Sequence, residues 1–226
     1  MSKEILNELN TRNVTRLCHF TKSINIPHIL SDFKAILATD EIPEYYRDTN
    51  DKRRLDGKKE YICCSIEYPN VYYLNEIKDN DKLFNEWVII CIDPAVVLEN
   101  EVLFSKVNAA TERGKYILPG LKGLKSIYDE NIITSKRSRQ RSDKLPVACA
   151  TDIQAEAMIL GKIDKKYIKS FIFQNEEQAK KEYIRMDLLG IGKDIEIKIC
   201  PDMFKKELGG KLNKGYIPKE IEYNGN

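Results

Sequence analysis

Two polar side chains two residues apart, Gln154 and Glu156, are the residues of this chain best placed to do chemistry. They sit in Ala150-Thr151-Asp152-Ile153-Gln154-Ala155-Glu156, between a basic run at residues 136–144 and the apolar segment Ala157-Met158-Ile159-Leu160. If this stretch is extended, the period of two turns both side chains to one face. A carboxylate and an amide are then held side by side at the entrance to a strand, close to cations suited to phosphates. The bland alternative is a solvated Glu at a strand end, and only the surrounding motifs weigh against it.

Those motifs lie upstream. Leu17-Cys18-His19-Phe20-Thr21 reads as a short buried strand carrying a His and a Thr on one face. Thr49-Asn50-Asp51-Lys52-Arg53-Arg54-Leu55-Asp56-Gly57 reads as a charged loop. The strand Tyr61-Ile62-Cys63-Cys64-Ser65-Ile66 leads into Tyr68-Pro69-Asn70, and Val107-Asn108-Ala109-Ala110-Thr111 follows further on. Taken in order, the His-x-Thr, Asn-Asp-x-x-Arg-Leu-Asp-Gly, Ser-Ile-x-x-Pro-Asn, Asn-Ala-Ala and Thr-Asp-x-Gln-Ala-Glu elements resemble the DarT family of nucleic-acid ADP-ribosyltransferases. These are toxins that attach ADP-ribose from NAD to a base. The resemblance covers roughly residues 15–175. No single element is specific, and their order carries the likeness.

The resemblance implies a set of roles. Glu156 would stabilise the positive charge that develops on the ribose as the bond to nicotinamide breaks, as in glycoside chemistry. Gln154 would orient the acceptor base, or is simply a polar residue on an exposed strand face. Arg54 would pair with the NAD pyrophosphate or assist at the base; a shift of one residue would give that part to Arg53, and the alternative is a merely charged loop. His19, Phe20 and Thr21 would cradle NAD, with His28 as a further contact or a surface residue. Ser65 and Asn108 would line the cleft, the first as NAD contact or structural Ser, the second at the nucleic acid or as a turn residue. Lys136, Arg137, Arg139, Arg141 and Lys144 form either a phosphate clamp on a nucleic-acid strand or a solvated loop.

The elements that must position these residues can be read from periodicity. Strands are expected at 14–20, 61–66, 87–92, 102–104, 157–160, 170–173 and 195–199, and helices at 26–33, 94–98, 121–128 and 176–189. Glu and Gln in the opening turn and Gly190 as a stop make the last helix the clearest. Short strands mixed with scattered helices argue an α+β fold rather than a doubly wound sheet. No Gly-x-Gly-x-x-Gly occurs, so a Rossmann mode of NAD binding finds no support. The family resemblance implies the ADP-ribosyltransferase fold, two small sheets packed into an NAD cleft with peripheral helices. A single domain over 1–226 is expected, with its core at about 14–200 and a peripheral, partly mobile tail at 205–226.

Composition narrows the class. The chain has 226 residues, 42% of them hydrophobic and 32% charged, and a net charge of only +2, so local runs must supply any affinity for polyanions. Cys18, Cys63, Cys64, Cys91, Cys149 and Cys200 fall mostly in apolar segments, the pattern of buried reduced thiols. No Cys-x-x-Cys occurs and there are two His residues, so no metal site is expected. A charged N-terminus and the lack of any long apolar run lead to the expectation of a cytoplasmic protein with no membrane partner.

The expected activity is transfer of ADP-ribose from NAD to a base of single-stranded DNA, since a duplex hides the target edge. The Arg-Leu-Asp-Gly and Ser-Ile-x-x-Pro-Asn elements resemble the guanine-directed branch more than the thymine-directed one. Alternatives are the same chemistry on RNA, or a non-enzymatic nucleic-acid-binding module. Joint presence of Gln-x-Glu, His-x-Thr and Arg54 favours the enzyme. The resemblance also implies a cognate antitoxin, of the macrodomain ADP-ribosyl hydrolase type. Lys59-Glu60 and Tyr72-Tyr73-Leu74 depart from the family pattern, which bears on substrate preference more than on chemistry.

Overall fold

The computed structural model describes residues 2–46, 54–80, 84 and 86–225. Its strands, in chain order, are β1 (Leu17–Lys22), β2 (Ala35–Leu37), β3 (Tyr61–Ile66), β4 (Trp87–Ile92), β5 (Val102–Ser105), β6 (Ile117–Pro119), β7 (Asn131–Ile133), β8 (Ser138–Gln140), β9 (Glu156–Leu160), β10 (Lys162–Asp164), β11 (Ile168–Phe173), β12 (Glu196–Ile199) and β13 (Ile221–Glu222). The α-helices are α1 (Ser2–Thr11), α2 (Val71–Asn80), α3 (Gly120–Ser126), α4 (Glu176–Leu189) and α5 (Leu208–Leu212). The architecture is α+β.

Trp-Val-Ile-Ile-Cys-Ile in β4 is a continuous apolar run, which suits a strand buried on both faces. Val88, Ile90 and Ile92 pack into one core, while Trp87, Ile89 and Cys91 pack into a second core on the opposite face. The first core takes in Ile5 and Leu9 of α1 and Leu124 of α3. The second takes in Val71 and Leu74 of α2 with Leu208 and Leu212 of α5.

Where two small sheets were expected, one main sheet runs in the order β13-β12-β11-β4-β1-β3-β9-β5-β6, with the two-stranded pairs β10-β2 and β7-β8 beside it. The expected division survives inside that sheet. Strand β1 pairs with β4 along its whole length, from Leu17↔Ile92 to Lys22↔Trp87. It pairs with β3 only at Leu17↔Ile66 and Cys18↔Ser65. From residue 19 onward the halves β13-β12-β11-β4-β1 and β3-β9-β5-β6 part, and the opening between them is the mouth of a cleft.

Strands β3 and β4 and helix α4 have the bounds that periodicity gives. Asn175 caps α4 by accepting from Gln178 N at 2.9 Å, and Gly190 closes it with φ +66°. The helix expected at 26–33 is instead a 3₁₀ turn (Ser23–Asn25) and a single wide π turn (His28–Asp32). Three helices, α1, α2 and α5, were not anticipated. In α1, Ile5 and Leu9 form an i,i+4 apolar pair within a charged segment. In α2, Asn70 caps the first turn, its Oδ1 accepting from Tyr73 N at 3.2 Å. The stretch after Lys205 is not a loose tail: Leu208, Leu212 and Tyr223 are buried and β13 extends the sheet edge. Among the described residues no helix is long and apolar enough to cross a membrane.

Candidate active site

Glu156 opens β9, in register with Ser65 of β3 on one side and Ser105 of β5 on the other. Directly opposed residues of antiparallel strands share a face, so the carboxylate lies in a row with two hydroxyls. Its exposure is 7%. Burial pushes its pKa up to about 7 and Asp56 adds to the rise, while the Cys63 thiol, the Ala109 N–H and Arg54 pull the other way. A carboxylate so poised is costly to charge when the cleft is empty. A cation in front of it would draw it into the ionised form.

Above this row lies a cleft of about 1000 Å³, at the top of the roughly 300–1,000 Å³ range of small-molecule sites. The ring of His19 spans the gap where β1 leaves β3, with Nδ1 2.9 Å from the Cys63 carbonyl oxygen. An acceptor there requires the proton on Nδ1, so Nε2 is left as an acceptor. Burial holds the imidazole below its usual pKa and Arg54 adds to the effect, so the ring is neutral. Thr21 Oγ1 accepts from Asn25 Nδ2 at 2.8 Å, and Phe20 packs edge-on to Trp87. His28 is partly exposed at the outer rim, bonded to Asp32 at 2.6 Å and flanked by Phe33 and Tyr46.

Arg54 has φ +37°, a left-handed conformation rarely adopted by non-glycine residues. This geometry folds the guanidinium back into the wall. Nε and Nη2 reach the Asp56 carboxylate at 3.1 and 3.0 Å, Nη1 donates to the Tyr61 carbonyl at 3.0 Å, and Nη2 also meets the Lys58 carbonyl. The side chains of Arg54 and Asp56 are 8% and 4% exposed. The alternative residue, Arg53, lies outside the described residues, as do Thr49, Asn50, Asp51 and Lys52.

Ser65 Oγ accepts from Asn70 N at 2.9 Å, tying β3 to the start of α2. Asn108 closes a turn on Ala110 N at 3.0 Å and lines the cleft floor. Gln154 is not on an extended stretch as expected: it lies in a turn closed by Ala155 N donating to the Asp152 carbonyl at 2.8 Å, and it reaches the cleft from there rather than by the period of a strand.

The basic run departs from the clamp expectation. It supplies part of the turn and the second strand of the β7-β8 hairpin rather than a loop alone, and two of its arginines are turned inward. Arg137 Nη2 lies 2.6 Å from Asp152 Oδ2, whose side chain is fully buried. Arg141 donates to the carbonyls of Cys149 at 2.8 Å and Pro146 at 3.2 Å, and to Thr151 Oγ1 at 3.2 Å. It is a staple for the segment leading to Gln154. Counting cations cannot separate these from solvated ones, because the partners lie up to fifteen residues away. Lys136, Arg139 and Lys144 have no ion-pair partner among the described residues, and Lys136 borders the cleft. Replacing Lys136 and Arg139 by Ala should flatten the salt dependence of oligonucleotide binding, by about 0.7 in the log–log slope for each phosphate that is no longer neutralised. An Arg141→Ala change should instead lower the melting temperature.

Three cleft residues, Phe33, Tyr46 and Asp56, and one buried behind it, Asp152, carry no signal that the sequence picks out. Asp56 and Asp152 stand inside recognisable motifs without a role of their own, and each turns out to hold an arginine. Phe33 and Tyr46 belong to no motif, and only folding brings them to His28. Among the described residues no three His, Cys, Asp or Glu side chains converge as a metal site.

Residues 18–205 match the family described as "ssDNA thymidine ADP-ribosyltransferase, DarT". The chain belongs to the DarT family. It is thereby an NAD-dependent ADP-ribosyltransferase of a family of DNA-modifying toxins. No curated protein matches it by sequence. Among solved structures, DarT of Thermus sp. 2.9 in complex with NAD+ superimposes with a TM-score of 0.61 at 14% identity, over 84% of this chain and 98% of that one. The same protein in complex with ADP-ribosylated ssDNA gives 0.60 at 11% identity, over 85% and 97%. Thermosipho africanus DarTG in complex with ADP-ribose gives 0.54 at 18% identity, over 84% of this chain but 51% of that one. At these identities the likeness to the solved structures speaks for the DarT fold, and the family match supplies the rest.

Proposed function

We propose that this protein transfers ADP-ribose from NAD to a base of single-stranded DNA and releases nicotinamide. The observation that carries this reading is the Glu156 carboxylate, buried at the head of β9 beneath the cleft and poised near neutrality. The Thermus relative with NAD+ and with ADP-ribosylated ssDNA supports the choice of substrates.

In the transfer, the bond between ribose C1 and the nicotinamide nitrogen breaks, and its electron pair neutralises the pyridinium. The ribose takes on oxocarbenium character, the base attacks C1, and the base proton passes to solvent. Ionised Glu156 stabilises the charge on the ribose and accepts from a ribose hydroxyl, an interaction stronger in the transition state than in the ground state. Neutral His19, Phe20 and Thr21 form the nicotinamide end of the cleft. His28, with Phe33 and Tyr46, covers the distal part of NAD. Arg54, paired with Asp56, shapes the wall, Ser65 positions the strand facing Glu156, and Gln154 meets the base. Asn108 and Lys136 border the incoming strand, and Arg139 adds a phosphate contact outside the cleft.

The family description names thymidine, whereas the Arg-Leu-Asp-Gly and Ser-Ile-x-x-Pro-Asn elements favour guanine. A toxin of this kind requires an antitoxin, and a macrodomain-type hydrolase that removes ADP-ribose fits the chemistry. Incubation with labelled NAD and single-stranded DNA or RNA oligomers, followed by mass mapping of the adduct, tests the proposal. An adduct on a DNA guanine is expected. An adduct on thymine would correct the base, and one confined to RNA would correct the acceptor. NAD cleavage without any nucleic-acid adduct would overturn the transfer reading.

A further inference from the structure

Asp152 lies two residues before Gln154, and its carboxylate is fully buried. Its Oδ1 accepts from Gln154 N at 3.0 Å, its carbonyl accepts from Ala155 N at 2.8 Å, and its Oδ2 meets Arg137 at 2.6 Å. One acid thus holds the backbone of the segment and an arginine delivered from the β7-β8 hairpin. The same arginine reaches the Gln154 side chain. A guanidinium offers only donors, so the amide must turn its oxygen toward it, accepting from Nη1 at 2.7 Å and from Nη2 at 3.3 Å. The amide nitrogen is then the end of Gln154 left for the cleft that it lines.

We infer that Arg137 and Asp152 are positioning residues that fix the polarity of Gln154, so that the acceptor base meets a hydrogen-bond donor and a keto base is selected. This inference rests on the transfer reading above and deepens it. Thymine O4 and guanine O6 are acceptors, whereas cytosine N4 and adenine N6 are donors. A donor locked toward the base rewards the first pair and faces the amino groups of the second donor-to-donor. An unlatched amide can rotate and serve either pattern. Selection by a hydrogen-bonding group left unpaired with the wrong partner is steeper than selection by shape alone.

Four single-stranded oligomers test this, each carrying one T, G, C or A among abasic residues. ADP-ribosyl adduct is measured by mass to give kcat/KM for each base. Arg137→Ala alone would orphan the buried Asp152, so it is paired with Asp152→Asn, which keeps the acceptor for Gln154 N. The wild type should favour its keto base over A and C by about tenfold or more, and in the double variant that ratio should fall toward one. A ratio unchanged in the variant, or a decrease shared equally by all bases, assigns the two residues a structural role and overturns the inference. Preference of the wild type for A or C overturns the polarity and leaves the transfer reading intact. A wild type that modifies no oligomer removes the transfer reading itself.

Discussion

Glu156→Gln should abolish transfer, by about 10²–10³-fold or more, and at the same time stabilise the protein at alkaline pH. Both effects come from the same buried carboxylate. Its folded pKa is about 7, above its ordinary 4.5. Between those values the unfolded chain has released a proton that the folded chain retains, so stability falls as pH rises through this window. The cost is absent below about 4.5 and fully present above about 7. It amounts to roughly 3 kcal/mol, from about 1.4 kcal/mol for each unit. Gln keeps the shape and removes the charge. Thermal melts of wild type and variant should therefore converge at pH 4.5 and separate at pH 8, with the variant higher. Wild-type transfer at low NAD should climb with pH through about 7 as the carboxylate ionises. A Gln variant that melts below the wild type at pH 8 would mean that Glu156 holds the fold and is not strained for chemistry.

Arg54→Ala should cost both stability and activity, and for separable reasons. Arg54 and Asp56 form an ion pair in the wall, nearly shielded from solvent, and the guanidinium also satisfies the carbonyls of Tyr61 and Lys58. Removing one partner of such a pair leaves an uncompensated buried charge, which costs about 3–5 kcal/mol. An Arg54→Ala, Asp56→Ala double variant removes that charge as well and should recover much of the stability. Activity should not return, because the pair is neutral as a whole and what the cleft loses is the guanidinium that builds its wall beside His19 and Glu156. Melting temperature and the KM for NAD, measured on both variants, separate these effects. If the double variant regains transfer together with stability, Arg54 is a structural residue only.

Much of the site is written in short-range pattern. The strands carrying His19, Ser65 and Glu156 are announced by apolar runs, whereas Gln154 comes to the cleft through a turn and not through strand alternation. Trp87–Ile92 is apolar throughout because both faces of β4 are covered, and Glu176–Leu189 carries its own cap and stop. Such features depend on neighbours within one or two turns, so composition and spacing reveal them. The helices α1 and α2 were written there too, but each buries only two of its ten residues, a faint signal until α3 and the second core give them a surface to cover.

Tertiary structure alone decided which charges do what. Arg137, Arg139 and Arg141 alternate in and around β8 and look equivalent in sequence, yet Arg137 is drawn to buried Asp152 and Arg141 to a group of carbonyls, while Arg139 has no ion-pair partner among the described residues. Arg54 and Asp56 are two residues apart, but only the left-handed turn at Arg54 folds them together into the wall. The cleft itself follows from β1 pairing with β3 at two residues and with β4 at six, a long-range difference in register that no local period encodes. Glu156 owes its raised pKa to that burial. A carboxylate's identity is set by sequence, but the cost of its charge is set by what surrounds it.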